Sequence, residues 1–308
     1  MNAPLTPQPR TFKDSAKLYL KGLVMGSADV VPGVSGGTMA LILGVYEELI
    51  LSLQSLSQPA FLQALLSFKL GTAFEAANGR FLVTLLAGIA TAVLLFARVI
   101  TWLLETQQSL LYSLFFGLIL ASVFVVGRRV RRWSVGPLMA LVASAVGAFL
   151  LVGLSPTTTP DSPWFLVLSG ALAICAMVLP GISGAFILLL LGKYVYVLNA
   201  ISHLDIVAIV LFGCGAVVGL LSFVRLLGLL FTRHYDLTIA LLTGFMLGSL
   251  RKIWPWKRVV GDDLVANSLP HLYVNGGLNL LTVASLLLLV LGVGIVLVLN
   301  RVSEPTNS

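Results

Sequence analysis

Two stretches of this chain interrupt a helix with the same residues. Pro32-Gly33-Val34-Ser35-Gly36 and Pro180-Gly181-Ile182-Ser183-Gly184 open segments that go on to share Leu41/Leu189, Leu43/Leu191, Gly44/Gly192 and Tyr46/Tyr194. Proline removes a backbone donor and disfavours helix in the residue before it. One helix should therefore stop near Val31 or Leu179 and the next should begin at Ser35 or Ser183. Serine at that place is an N-cap, and the amides of Gly36, Gly37 and Thr38 behind it have no partner one turn back. Their partial positive charge suits an anion, above all a phosphate, and glycine lets the ligand approach the backbone. The second copy offers Ser183 and Gly184 but departs at Ala185 and Phe186, which weakens its claim. The other reading is a kink or packing turn without a ligand. Recurrence at matching positions favours the site.

Arg98 and Arg225 form a second pair, late in two apolar spans at equivalent places. Arginine in a transmembrane helix costs about 3 kcal/mol on insertion scales, and its fork of donors matches phosphate oxygens. Snorkelling to the nearby interface is the alternative, and the repetition favours phosphate binding. Asp29 lies three residues before the first break, whereas Met177 occupies its place before the second. That lone carboxylate, and more remotely Glu47, are candidates for coupling to H+ or Na+. Gly33-x-Ser35-x-Gly37 also fits a serine-nucleophile pattern. A serine nucleophile needs a base within reach, and no apolar span contains a histidine. There is no Walker A sequence, dinucleotide fingerprint or metal-binding cluster, so neither a cofactor nor a metal is expected.

These residues sit in a chain of 308 residues that is 58% hydrophobic and only 10% charged. That composition defines an all-α polytopic membrane protein, here taken as a single membrane domain over 1–308. The net charge of +7 is concentrated in short loops, where it reads as a topology signal and not as a nucleic-acid surface. Residues 1–21 are polar and basic, without the pattern of a cleavable signal. Cys175 and Cys214 lie in apolar stretches as inert thiols, and His203, His234 and His271 lie in or near loops. Apolar spans run over 81–104, 110–127, 135–154, 206–231, 236–250 and 277–300, with the five tryptophans at or near span ends.

The duplication reaches beyond the breaks, because Arg98, Gly117 and Ser122 correspond to Arg225, Gly244 and Ser249. The breaks are 148 apart (180 − 32) and the later pairs 127 apart (225 − 98), so the first half carries a longer connection at roughly 54–80. Two homologous halves result, 12–154 and 160–301, each with a re-entrant hairpin broken by Pro-Gly and about three transmembrane helices. Counting Lys and Arg in the loops does not separate inverted from parallel halves. Inversion is favoured because it gives a pseudo-symmetric site able to face either side.

The strings MGSADVVPGVSGGTMALILGVYEELI (Met25 to Ile50) and AMVLPGISGAFILLLLGKYVYVL (Ala176 to Leu198) resemble the two signature segments of the bacterial PopT-like polyprenyl-phosphate transporters. The resemblance covers roughly 15–300. It implies a multi-pass protein of the bacterial cytoplasmic (inner) membrane that returns undecaprenyl phosphate from the outer to the inner leaflet, so that the carrier lipid is recycled in cell-envelope synthesis. It assigns the headgroup site to Ser35, Gly36, Gly37, Thr38, Ser183 and Gly184. Arg98 and Arg225 join that list through their repetition alone. The expected partners are the lipid, the bilayer, H+ or Na+, and further copies of the chain as a homo-oligomer. The competing function is an ion-coupled transporter or channel for a small soluble anion. A lipid carrier needs a side opening to the bilayer, whereas a soluble-anion carrier needs a closed aqueous path.

Overall fold

In the computed structural model, residues 10–31, 33–260, 264–269 and 280–303 are described. Pro32, His271 and residues 277–279 of the last expected span lie outside them. The first half runs α1 (Phe12–Asp29), α2 (Gly36–Ile42), α3 (Tyr46–Ser55), α4 (Pro59–Leu66), α5 (Leu70–Ala76), α6 (Gly79–Thr106), α7 (Gln108–Gly127) and α8 (Val135–Leu151). The second half runs α9 (Pro163–Val178), α10 (Gly184–Leu190), α11 (Tyr194–Ser202), α12 (Ile206–Arg233) and α13 (Tyr235–Ser249). A short antiparallel ribbon follows, β1 (Lys257–Val260) with β2 (Leu264–Asn267), and the chain returns to helix in α14 (Leu280–Ser303). The ribbon is an addition to the expected all-helical fold.

The two Pro-Gly segments share their backbone geometry. Gly33 and Gly181 take φ of 90° and 88°, and Gly44 and Gly192 take 69° and 65°. Side chains with a Cβ rarely adopt this left-handed region, so the turns at each break need glycine. The paired short helices bend by 117° between α2 and α3 and by 108° between α10 and α11. The extra connection in the first half is the helix pair α4 and α5, which has no counterpart in the second.

Helices α6 and α12 have 28 residues each, hence lengths of about 42 Å at 1.5 Å per residue. With α7 and α14 they are long and apolar enough to cross a bilayer, whereas α8 and α13 are shorter. Small residues bring these helices together, as membrane packing requires. Gly22 and Gly26 of α1 lie against Leu85 and Ile89 of α6, so the two run side by side in one direction. Helices α9 and α12 repeat this arrangement through Gly170 and Gly215. The remaining long contacts exchange partners between halves: α7 packs on α14, and α8 packs on α13. Gly244 faces Leu141 and Gly248 faces Ala145, so α8 and α13 also run in the same direction. At the start of α13 the Asp236 carboxylate accepts from the amides of Arg131 and Arg132, 2.9 and 3.1 Å away in the loop that leaves α7. The first turn of α13 therefore sits beside the last turn of α7.

A Cβ on Gly117 would collide with the Leu289 carbonyl of α14, whereas one on Gly136 would meet nothing. Gly117→Leu should therefore destabilise the protein by about 2 kcal/mol, the scale of overpacking, and Gly136→Leu should be close to neutral. Thermal unfolding in detergent measures both.

Candidate functional site

Each break falls near half the depth of a long helix. Gly26, three residues before Asp29, contacts Ile89 and Ala92 close to the middle of α6. Ala171 and Cys175 of α9 contact Gly219 near the middle of α12. Backbone groups released there lie where water is scarce and must be bonded or ligated.

In the first copy they are bonded. Asp29 accepts from the Gly36 amide at 2.6 Å, and the Ser35 hydroxyl accepts from the Gly37 amide at 3.2 Å. The Thr38 amide reaches the Ser35 carbonyl at 2.9 Å. At the far end of α2, Lys21 donates to the Leu43 carbonyl at 2.8 Å. The expectation of free amides at Gly36, Gly37 and Thr38 is therefore corrected: a carboxylate, a hydroxyl and a backbone carbonyl of the protein already occupy them. The physical reason is Asp29, an anion carried by the chain itself.

The same side chains clamp the second break. Ser35 donates to the Leu179 carbonyl at 3.2 Å, Tyr46 donates to the Val178 carbonyl at 3.0 Å, and Thr38 accepts from the Gly181 amide at 2.8 Å. Tyr46, shared by the two motif copies, is thus a hydrogen-bond donor to the second break. The second copy lacks an internal anion, because Met177 stands in place of Asp29. Ser183 makes no capping bond there. The copy whose sequence departs further from the motif is the more open one.

Between the breaks lies a cavity of about 650 Å³, lined by Asp29, Val30 and Gly33 from the first and by Ser183, Ala185, Phe186, Leu189 and Tyr194 from the second hairpin. Gln108 and Tyr112 of α7 complete it with Lys252 and Lys257. The two lysines belong to the loop and ribbon after α13, outside the spanning helices. The Lys252 ammonium lies 4.4 Å from the Phe186 ring centre, and that of Lys257 lies 4.7 Å from Tyr112, which places both charges against aromatic faces. Lys257 also donates to the Lys252 carbonyl at 2.6 Å. Burial pushes Lys252 below the usual lysine range; burial and then the neighbouring Lys252 charge push Lys257 down to about 8. Two crowded cations favour an incoming anion.

The other expected site residues lie elsewhere. Arg98 is exposed on α6 among Leu94, Leu95 and Trp102, away from the cavity lining. Arg225, also exposed, donates to the Ser57 carbonyl at 2.9 Å and so anchors the connection that leads to α4. Glu47 accepts from the Tyr235 hydroxyl at 3.1 Å, and Glu48 pairs with Arg10 at 2.6 Å. Lys252 and Lys257, in contrast, went unassigned because RKIWPWKR reads as a topology signal. The available cue was the difference between equivalent clusters: RRVRRW holds arginine alone, whereas its counterpart places lysines on either side of Trp254-Pro255-Trp256.

Helices long enough to span a bilayer, two bent pairs and a cationic cavity between their breaks define a multi-pass membrane protein built around paired broken helices. The chain belongs to the undecaprenyl phosphate translocase-like family, whose profile matches residues 25–268. It is 47% identical over 244 residues to a polyprenyl-phosphate transporter of Vibrio cholerae, covering 79% of this chain and 78% of that one. It is 26% identical over 255 residues to a polyprenyl-phosphate transporter of Staphylococcus aureus, covering 77% and 85%. These are transporters, and the chain is not an enzyme. No solved structure matches it.

Asp29→Ala would strand the Gly36 amide and should cost about 2 kcal/mol, the scale of an unsatisfied buried donor. Asp29→Asn keeps an acceptor and should recover most of that loss. Gly36→Ala would press a methyl group into the Asp29 carboxylate, and should destabilise the protein as Asp29→Ala does. Unfolding midpoints of the three variants read out the order.

Proposed function

We propose that this protein carries polyprenyl phosphate across the bacterial cytoplasmic membrane, holding the phosphate in the cavity between the two breaks while the isoprenoid chain stays in lipid. The observation that carries the reading is the cavity's combination of two lysines with an apolar rim. Lys252 and Lys257 supply charge, and the Tyr112 and Ser183 hydroxyls supply hydrogen-bonding groups, with Gly184 starting α10 directly behind Ser183. Leu189 and Tyr194, 44% and 38% exposed, leave the rim greasy on the outside. That is what a lipid substrate requires and a soluble anion does not. Ser35, Gly36, Gly37 and Thr38 act in this scheme by fixing the two breaks against each other, and Arg98 and Arg225 act outside the headgroup site. Asp29 borders the same cavity, so a proton on it would weaken its bond to Gly36 and couple H+ to the phosphate's position. Recycling from the outer to the inner leaflet is the direction we assign to the carrier.

We infer further that the halves are inverted. The support is that α7 and α13, equivalent helices of the two halves, pack with the start of one beside the end of the other. Opposed directions place equivalent loops on opposite faces of the membrane. With the native cysteines replaced, Trp133→Cys and Leu269→Cys should differ in labelling by an impermeant maleimide applied to one side. Equal labelling from that side would overturn the inversion.

In liposomes containing undecaprenyl phosphate, Lys252→Gln and Lys257→Gln should each slow headgroup exchange between leaflets at least tenfold. Arg98→Gln should stay within twofold of wild type. Exchange unaffected by either lysine variant would remove the cavity from the mechanism, and exchange of a soluble anion in place of the lipid would favour the competing function. Because Lys257 titrates near 8, its charge is lost as pH rises through that value. Phosphate affinity should therefore fall between about pH 7 and 9, and Lys257→Arg should move the fall to higher pH.

A further inference from the structure

We infer that the protein has a second anion-binding station, a vestibule at the ends of α8 and α13 that takes a phosphate group before or after the cavity between the breaks. The inference rests on the function proposed above. The vestibule is a cavity of about 820 Å³ lined by Phe149, Val152, Gly153 and Ser155 on one side and by Arg251, Lys252, Trp254, Lys257 and Asn267 on the other. Among the described residues, three of its side chains are cationic and none is a carboxylate. Lys252 and Lys257 line both cavities, so the two spaces meet at the same pair of charges.

Arg251 belongs to the vestibule alone. Its guanidinium lies 4.4 Å from the Phe149 ring centre and donates to the Phe149 carbonyl at 3.0 Å. One N–H of five is used in that bond, and the held fork presents the others to an oxyanion. The backbone of Arg251 is fixed as well, since Asn267 donates to its carbonyl at 3.0 Å. The ends of α8 and α13 lie side by side, while the breaks lie near half-depth, so the vestibule sits between the inner cavity and one membrane face.

The two stations differ in their demand on the ligand. The inner cavity has Asp29 on its wall and an apolar rim, whereas the vestibule, among the described residues, has no carboxylate and needs no lipid tail. Its ligand class is the phosphate monoester or free phosphate. A phosphate bound there engages the lysines that the inner cavity uses, so the two stations compete.

Titration of the purified full-length protein with inorganic phosphate, followed by calorimetry, tests this directly. Wild type should bind saturably, Arg251→Gln at least tenfold more weakly, and Arg251→Lys between them. Arg98→Gln should bind as wild type does. Inorganic phosphate should also inhibit undecaprenyl phosphate exchange competitively in wild type, with at least tenfold more phosphate needed in Arg251→Gln. Thermal unfolding establishes that the variants are folded. Phosphate binding indifferent to Arg251, or binding that leaves lipid exchange untouched, would overturn the vestibule and leave the inner cavity standing. Lipid exchange indifferent to Lys252 and Lys257 would instead overturn the function on which the vestibule rests.

Discussion

A helix broken near half-depth leaves amides and carbonyls where water is scarce, and the arrangement around both breaks follows from where those groups find partners. The first break is closed by Asp29, Ser35 and the Ser35 carbonyl. The second is held on its near side by Ser35, Thr38 and Tyr46 of the first half, and beyond that it borders a cavity. Both breaks border the cavity, but the first has its helix-start amides bonded within the protein, whereas Ser183 makes no capping bond at the second. Asp29 in place of Met177 and Thr38 in place of Phe186 distinguish the bonding of the two copies.

That asymmetry changes what the repeated motif means. Read alone, PGxSG describes two equal anion sites, and the better-preserved glycines of the first copy make it the stronger candidate. With the halves folded together, the first copy's polar side chains turn toward its partner and its own amides. The cations come from a loop outside either motif. Lys252 and Lys257 reach the breaks because α13 ends beside them, with Gly33 in contact with the Lys252 side chain.

The legible part of the fold was the periodic and punctuated part. Apolar spans, the ends of α1 and α9, the N-cap at Ser35 and the longer connection in the first half follow from hydropathy, proline and glycine, which act locally. The candidate site was legible in its location but not in its chemistry. Whether Gly36 is free depends on a carboxylate seven residues away, and whether Lys257 faces an interior cavity depends on how a loop folds back over α7. Arg98 and Arg225 illustrate the same limit. Equivalent positions in a duplicated chain share a helix and a depth, yet Arg225 meets the Ser57 carbonyl only because the connection toward α4 and α5 passes beneath it, and that connection exists in one half alone.

The exchange of partners, α7 with α14 and α8 with α13, bears on how such a chain could have arisen. One half by itself would leave the small-residue faces of two helices bare, with Gly117 and Ser144 turned toward lipid. On the inverted reading, only a neighbour inserted upside down in the same bilayer could cover them. An unduplicated ancestor would thus have had to enter the membrane in both orientations and pair with its own mirror arrangement. On the same reading, fusion of two copies would have freed each to change alone, and Asp29 in one opposite Met177 in the other is a difference of that kind.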